Sequence, residues 1–136
     1  MKRDNGKNVQ ENGLKSRIRF FFRQEFFQSK IVFWLIISGL LANLINWAAL
    51  WIFIKPVDGN IILHYNVYFG VDMMGNWKLV FIMPSVGLFL FFVNFFLALY
   101  FYRQKERIAS YLLLMAALMI QFSLLIASAS IIIINY

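Results

Sequence analysis

The chain has 136 residues, 62% of them hydrophobic, and a mean hydropathy of +0.71, well above the range of a soluble domain. Its formal charge is +7, from 13 Lys and Arg against 6 Asp and Glu, with no cysteine and one histidine. These counts exclude disulfides, thiolate metal sites, cysteine nucleophiles and a histidine-rich metal cluster within one chain, and the length allows one domain at most.

Residues 1–30 carry eight basic and three acidic side chains. The polar stretch 1–13 reads as a disordered tail. In residues 14–30, LKSRIRFFFRQEFFQSK, a helical wheel gathers Leu14, Ile18, Phe21, Phe22 and Phe26 on one broad side and sets Ser16, Arg19, Arg23 and Lys30 opposite. That separation predicts an N-terminal interfacial helix, with rings in the acyl boundary and bases toward anionic lipid. The basic flank of a membrane anchor accounts for the charge, so no nucleic-acid partner is expected.

Residues 31–54 contain no charge. A helix of that length covers roughly 36 Å, enough to cross a bilayer core with some tilt. The basic leader is too long and the apolar run too extended for a cleavable signal peptide. Trp47 and Trp51 fall where the far interface would lie. Gly39, Asn43 and Asn46 recur at helical spacing beside Ala42, a pattern that suits close helix packing joined by amide hydrogen bonds, or part of a polar path.

A second uncharged run, 79–102, has Pro84 near its start, where a missing amide does least damage. Gly87, Asn94 and Ala98 share a side of it and predict an interhelical contact. The short basic link RQKER leads into a third run, 108–135, whose Ser110, Ala117, Gln121 and Ser128 form a stripe expected to face the other two helices. The fold class expected is therefore an all-α integral membrane protein of three transmembrane helices, with an interfacial helix before them and a β-like loop, 55–78, between the first two. An odd number of spans separates that neutral loop from each basic segment. The positive-inside rule then puts the N-terminus in the cytoplasm and the loop and C-terminus on the outer side of the membrane.

Within the loop, Pro56 and Asp58-Gly59 form a turn. Residues 61–69, IILHYNVYF, read as an extended run with Ile61, Leu63, Tyr65, Val67 and Phe69 on one face and Ile62, His64, Asn66 and Tyr68 on the other. Gly70 and Gly75 allow tight turns beyond it. Asn66 and Asp72 are of the type that caps turns through side-chain to backbone bonds. His64 has three readings. It is a hydrogen-bonding loop residue, a pH-sensitive group of a type that ordinarily titrates at about pH 6.5, or, together with Asp72, a metal ligand needing help from Asn66, the backbone or a second chain.

His64-Tyr65-Asn66, followed by Gly70, Asp72, Gly75 and Pro84, resembles a bacterial membrane domain of unknown function. That domain opens the immunity protein against the sporulation-delaying toxin. The resemblance covers about residues 31–100, with Gly70 and Lys78 each one position later than in the family. It implies an external loop in which His64, Asn66, Gly70, Asp72 and Gly75 are the recognition candidates.

The chain has no paired acids within a helix, no GxSxG, no phosphate loop and no metal-ligand set, so neither catalysis nor a cofactor is expected. The expected function is a small immunity- or sensor-type membrane protein whose loop recognises a peptide, lipid or partner. The alternative is an accessory subunit of a larger membrane complex, or a homo-oligomer, assembled through Asn43, Asn46, Asn94 and Gln121.

Overall fold

The structure is a computed structural model that describes residues 25–136. The tail over 1–13 and most of the interfacial helix expected over 14–30 lie outside the described residues. What is described of the latter is a four-residue helix, α1 (Glu25–Gln28), set off from the first span at Ser29, whose backbone is extended.

Three long helices follow, α2 (Lys30–Phe53), α3 (Ile82–Arg103) and α4 (Arg107–Asn135), all long and apolar enough to cross a membrane. Between α2 and α3 lie two antiparallel strands, β1 (Asn60–Asn66) and β2 (Gly70–Asn76), and a 3-10 turn, Trp77–Phe81, that runs directly into α3. The protein is an all-α integral membrane protein with a small two-stranded sheet at one end. Helices are the required solution here, because in lipid each backbone amide and carbonyl must be satisfied within its own segment.

Burial follows the spacing of small and polar residues. On α2 the buried positions are Val32, Gly39, Ala42, Asn43, Asn46 and Leu50, and on α4 they are Ser110, Leu114, Ala117, Gln121, Ser128 and Ile131. Large apolar side chains turn outward instead, among them Trp34, Leu44, Phe89, Phe96, Leu112 and Ile126. Without a hydrophobic driving force between helices in lipid, close packing and hydrogen bonding select the interface, and bulky residues are left to the acyl chains.

The interior has three layers. At the end near Arg107, Phe26, Val32, Ala98, Leu99 and Leu114 form an apolar cluster. Phe26 belongs to the lipid-facing side of the expected interfacial helix, yet it is buried here. Its ring meets Phe27, Phe95 and Tyr102 edge-on at 5.1, 6.0 and 5.2 Å. At the opposite end Leu50, Ile54, Leu63, Val80 and Ile131 form a second cluster, which includes a residue of the sheet. Between them sits a waist of amides. Asn43 Nδ2 donates to Gln121 Oε1 at 3.0 Å and to the Pro84 carbonyl at 2.9 Å, and Gln121 Nε2 donates to the Gly87 carbonyl at 2.7 Å.

The link between α3 and α4 reverses the chain in three residues. Glu106 N donates to Phe101 O at 3.0 Å and Lys105 N to Tyr102 O at 3.1 Å, with Lys105 at φ 67°. These are the paired bonds of a Schellman C-cap, with lysine where glycine is usual.

Candidate functional site

The sheet is a hairpin seated on the bundle. β1 forms because Ile61 to Tyr65 is rich in β-branched and aromatic residues, and its neighbour β2, GVDMMGN, is held extended by pairing with it. The register runs from Asn60↔Asn76 to Asn66↔Gly70, with irregularities on either side of the His64↔Met73 pair. Leu63 has no partner in β2, and Asp72 has none in β1. The two bulges offset each other, so the pairing resumes in step at Tyr65↔Val71. They also break the strict alternation expected of the run. Leu63 is pressed into the core at 7% exposure, while Tyr65 remains about half exposed.

Two features fix the hairpin to the helices. Leu63 packs among Leu50, Ile54, Val80 and Ile131, beneath Gly75, where a Cβ would come within 2.7 Å of the Leu63 side chain. Asn135, in the last turn of α4, accepts from Ile62 N at 2.9 Å and donates to Ile62 O at 2.7 Å. Asn135 was not among the residues singled out from sequence. It stands next to the last residue of the chain, and its partner lies 73 positions away. A groove of about 240 Å³ runs between β1 and the outer turns of α4, with His64 and Tyr65 on one wall and Ala127, Ser130 and Ile134 on the other.

The remaining loop candidates divide by task. Asn66 Oδ1 accepts from Tyr68 N at 2.9 Å and so builds the hairpin turn. Gly70 closes that turn at φ 80°, a conformation that disfavours any side chain. Asp72, expected to cap a turn, instead reaches across the sheet, where His64 Nδ1 lies 2.7 Å from its Oδ1. A carboxylate only accepts, so Nδ1 carries the hydrogen and Nε2 is left open. Both side chains are well exposed, 63% for His64 and 42% for Asp72. The tip itself, Val67-Tyr68-Phe69, is exposed to 85%, 92% and 85%.

Of the helix candidates, Asn43, Gln121 and Gly87 meet in the waist. A Cβ on Gly87 would lie 2.9 Å from Gln121 Oε1 and 3.2 Å from Asn43 Nδ2, so the missing side chain is what admits the amide pair. Gly39 receives the edge of the Phe91 ring. Asn46 is fully buried, and neither of its amide atoms has a hydrogen-bond partner among the described residues. Asn94, expected to contact another helix, donates to Leu90 O at 2.9 Å, one turn back on its own.

At the opposite end a second polar group was also missed. Arg107 Nη2 donates to Glu25 Oε2 at 3.1 Å, Tyr102 OH donates to Glu25 O at 3.3 Å, and the guanidinium lies 5.6 Å from the Tyr102 ring centre. These contacts tie α1 to the end of α3 and the start of α4. Among the described residues no three His, Cys, Asp or Glu side chains gather where they could hold a metal ion. Comparison with protein-family models, with characterised proteins and with solved structures finds no match to this chain.

Proposed function

We propose that this is a non-enzymatic recognition protein of a bacterial inner membrane, of the immunity or sensor type, whose external hairpin binds a peptide or membrane-protein partner. The observation that carries this reading is the pairing of a fixed base with a bare apolar tip. Leu63 and Asn135 anchor the hairpin to the bundle, while Val67, Tyr68 and Phe69 are almost fully exposed. Aromatic residues held on a rigid support are the usual anchors of binding energy, because little conformational entropy is lost when they dock.

Orientation belongs to the same proposal. The Arg103–Arg107 link and residues 25–30 lie at one end of the bundle, the hairpin and Asn135 at the other. The basic end is assigned to the cytoplasm and the hairpin to the outside. The alternative, an accessory subunit assembled through its amide faces, is less favoured. Asn43 and Gln121 are bonded to each other inside the chain, and Asn46 is buried.

Challenge of expressing cells with the sporulation-delaying toxin tests the immunity form. Wild-type protein is expected to protect, and a Tyr68→Ser/Phe69→Ser variant, present in the membrane at equal level, to lose protection. Wild-type cells as sensitive as those without the protein would reject the immunity reading. Equal protection by the variant would reject the tip as the contact.

A further inference from the structure

His64 is bonded to Asp72 and paired in register with Met73, an arrangement that recognition through the tip does not use. We propose that His64 and Met73 bind a soft monovalent metal cation, Cu(I), on the exposed hairpin. His64 and Met73 are register partners. Residues directly opposite in an antiparallel pair project from one face with Cβ atoms about 4.5–5.5 Å apart, within reach of a shared ion for an imidazole and a thioether. The β2 bulge at Asp72 lets the neighbouring carboxylate reach the same imidazole, whose Nδ1 it holds at 2.7 Å.

That carboxylate contact is the device that orients ligating histidines. It holds the hydrogen on one ring nitrogen, fixes the ring's orientation and leaves the other nitrogen free to ligate. Here the nitrogen left free is Nε2. The donor set then selects the metal. Thioether and imidazole are soft to intermediate ligands that suit Cu(I), whereas Mg²⁺, Ca²⁺ and Mn²⁺ favour oxygen and structural zinc sites take four ligands. Access is open, since Met73 is 54% exposed and the His64 side chain 63%. The site is separate from the Val67-Tyr68-Phe69 tip and stands whether or not the tip binds a partner.

The test uses the full chain in detergent micelles and silver(I), a redox-stable stand-in for Cu(I), in chloride-free buffer. One ion per chain is expected. The nitrogen resonances of the single imidazole should show Nε2 taking the metal while Nδ1 keeps its hydrogen, and this readout on the wild type does not depend on any variant folding. His64→Ala and Met73→Leu should each weaken binding at least tenfold. Asp72→Asn should weaken it by about tenfold or more, and Met119→Leu, on the lipid-facing side of α4, should leave it unchanged. Three results would each overturn the proposal: no stoichiometric silver binding by the wild type, wild-type affinity in His64→Ala or Met73→Leu, or zinc(II) binding at His64 as tightly as silver(I).

Discussion

Asn135 engages both backbone groups of Ile62, accepting from its amide at 2.9 Å and donating to its carbonyl at 2.7 Å. The carboxamide stands where the peptide group of a neighbouring strand would stand, on the edge of β1 that faces away from β2. An open sheet edge is thereby closed by one side chain of a membrane helix. The same Nδ2 also donates to Ile131 O at 2.9 Å, which holds the amide plane against the helix.

Asn135→Ala is therefore expected to loosen the hairpin without unfolding the bundle. Two backbone groups of Ile62 lose their partner, at a cost of about 1–3 kcal/mol if water does not replace it. Hydrogen–deuterium exchange should show Ile62 and its β1 neighbours exchanging faster, while amides of α2 and α3 mid-span keep their protection. Unchanged exchange at Ile62 would show that Leu63 alone seats the sheet.

Three glycines form a graded series for substitution by alanine. At Gly87 a Cβ would meet Leu124 Cδ1 at 2.8 Å and the bonded amides of Gln121 and Asn43 at 2.9 and 3.2 Å. At Gly39 it would meet the Phe91 ring edge at 2.7 Å, and at Gly59 it meets nothing within 4 Å. Overpacking costs typically about 1–3 kcal/mol. Gly87→Ala should lie at the upper end because it displaces a hydrogen-bonded pair as well as a methyl. Gly39→Ala should cost less, since one ring can tilt, and Gly59→Ala should be close to neutral. Thermal unfolding in micelles ranks them, and Gly59→Ala as damaging as Gly87→Ala would contradict this account.

Asn43 and Asn46 differ by one helical turn and should respond with opposite sign to leucine. Asn43 has two partners from other helices, Gln121 and the Pro84 carbonyl. Its replacement strands the Gln121 oxygen, and interhelical bonds of this type are worth about 0.6–1.7 kcal/mol. Asn46 is buried with no partner among the described residues. Leucine keeps the branching of asparagine at Cγ and removes an unsatisfied amide whose burial costs about 1–3 kcal/mol, so Asn46→Leu is expected to raise the unfolding temperature and Asn43→Leu to lower it. A lowered temperature for both would point to a bonding partner of Asn46 that only a rearranged state provides.

How much of this was legible beforehand follows from the range of each interaction. The spans could be read because an uncharged run needs only its own composition to declare itself, and α2 departs from the expected limits by one residue at each end. The stripes of Gly39, Asn43 and Asn46 on α2 and of Ser110, Ala117, Gln121 and Ser128 on α4 could be read because helical spacing is local. β2 could not be read from its own residues. GVDMMGN has two glycines and no alternation, and it is extended only because β1 pairs with it. Everything that depends on that pairing was hidden too, including the reach of Asp72 to His64 and the place of Met73 opposite it. Asn135 and Phe26 escaped for the same reason. Asn135 acts on Ile62, 73 positions away, and Phe26 is packed against the distant rings of Phe95 and Tyr102 on α3.

The tight link between α3 and α4 offers the last prediction. Lys105 holds φ at 67° in a Schellman cap whose two bonds, Glu106 N to Phe101 O and Lys105 N to Tyr102 O, leave little freedom to relax. A left-handed backbone costs an L-residue with a side chain about 1–2 kcal/mol, and glycine is free of that cost but gives the unfolded chain more entropy. The Lys105 side chain makes no hydrogen bond or ion pair among the described residues, so nothing local opposes the change. Lys105→Gly should stabilise the bundle by up to about 1 kcal/mol, while Lys105→Val, β-branched and worse suited to positive φ, should destabilise it. Unfolding temperatures in micelles should fall in the order glycine, lysine, valine. Valine matching or exceeding glycine would mean that the link relaxes out of the left-handed conformation.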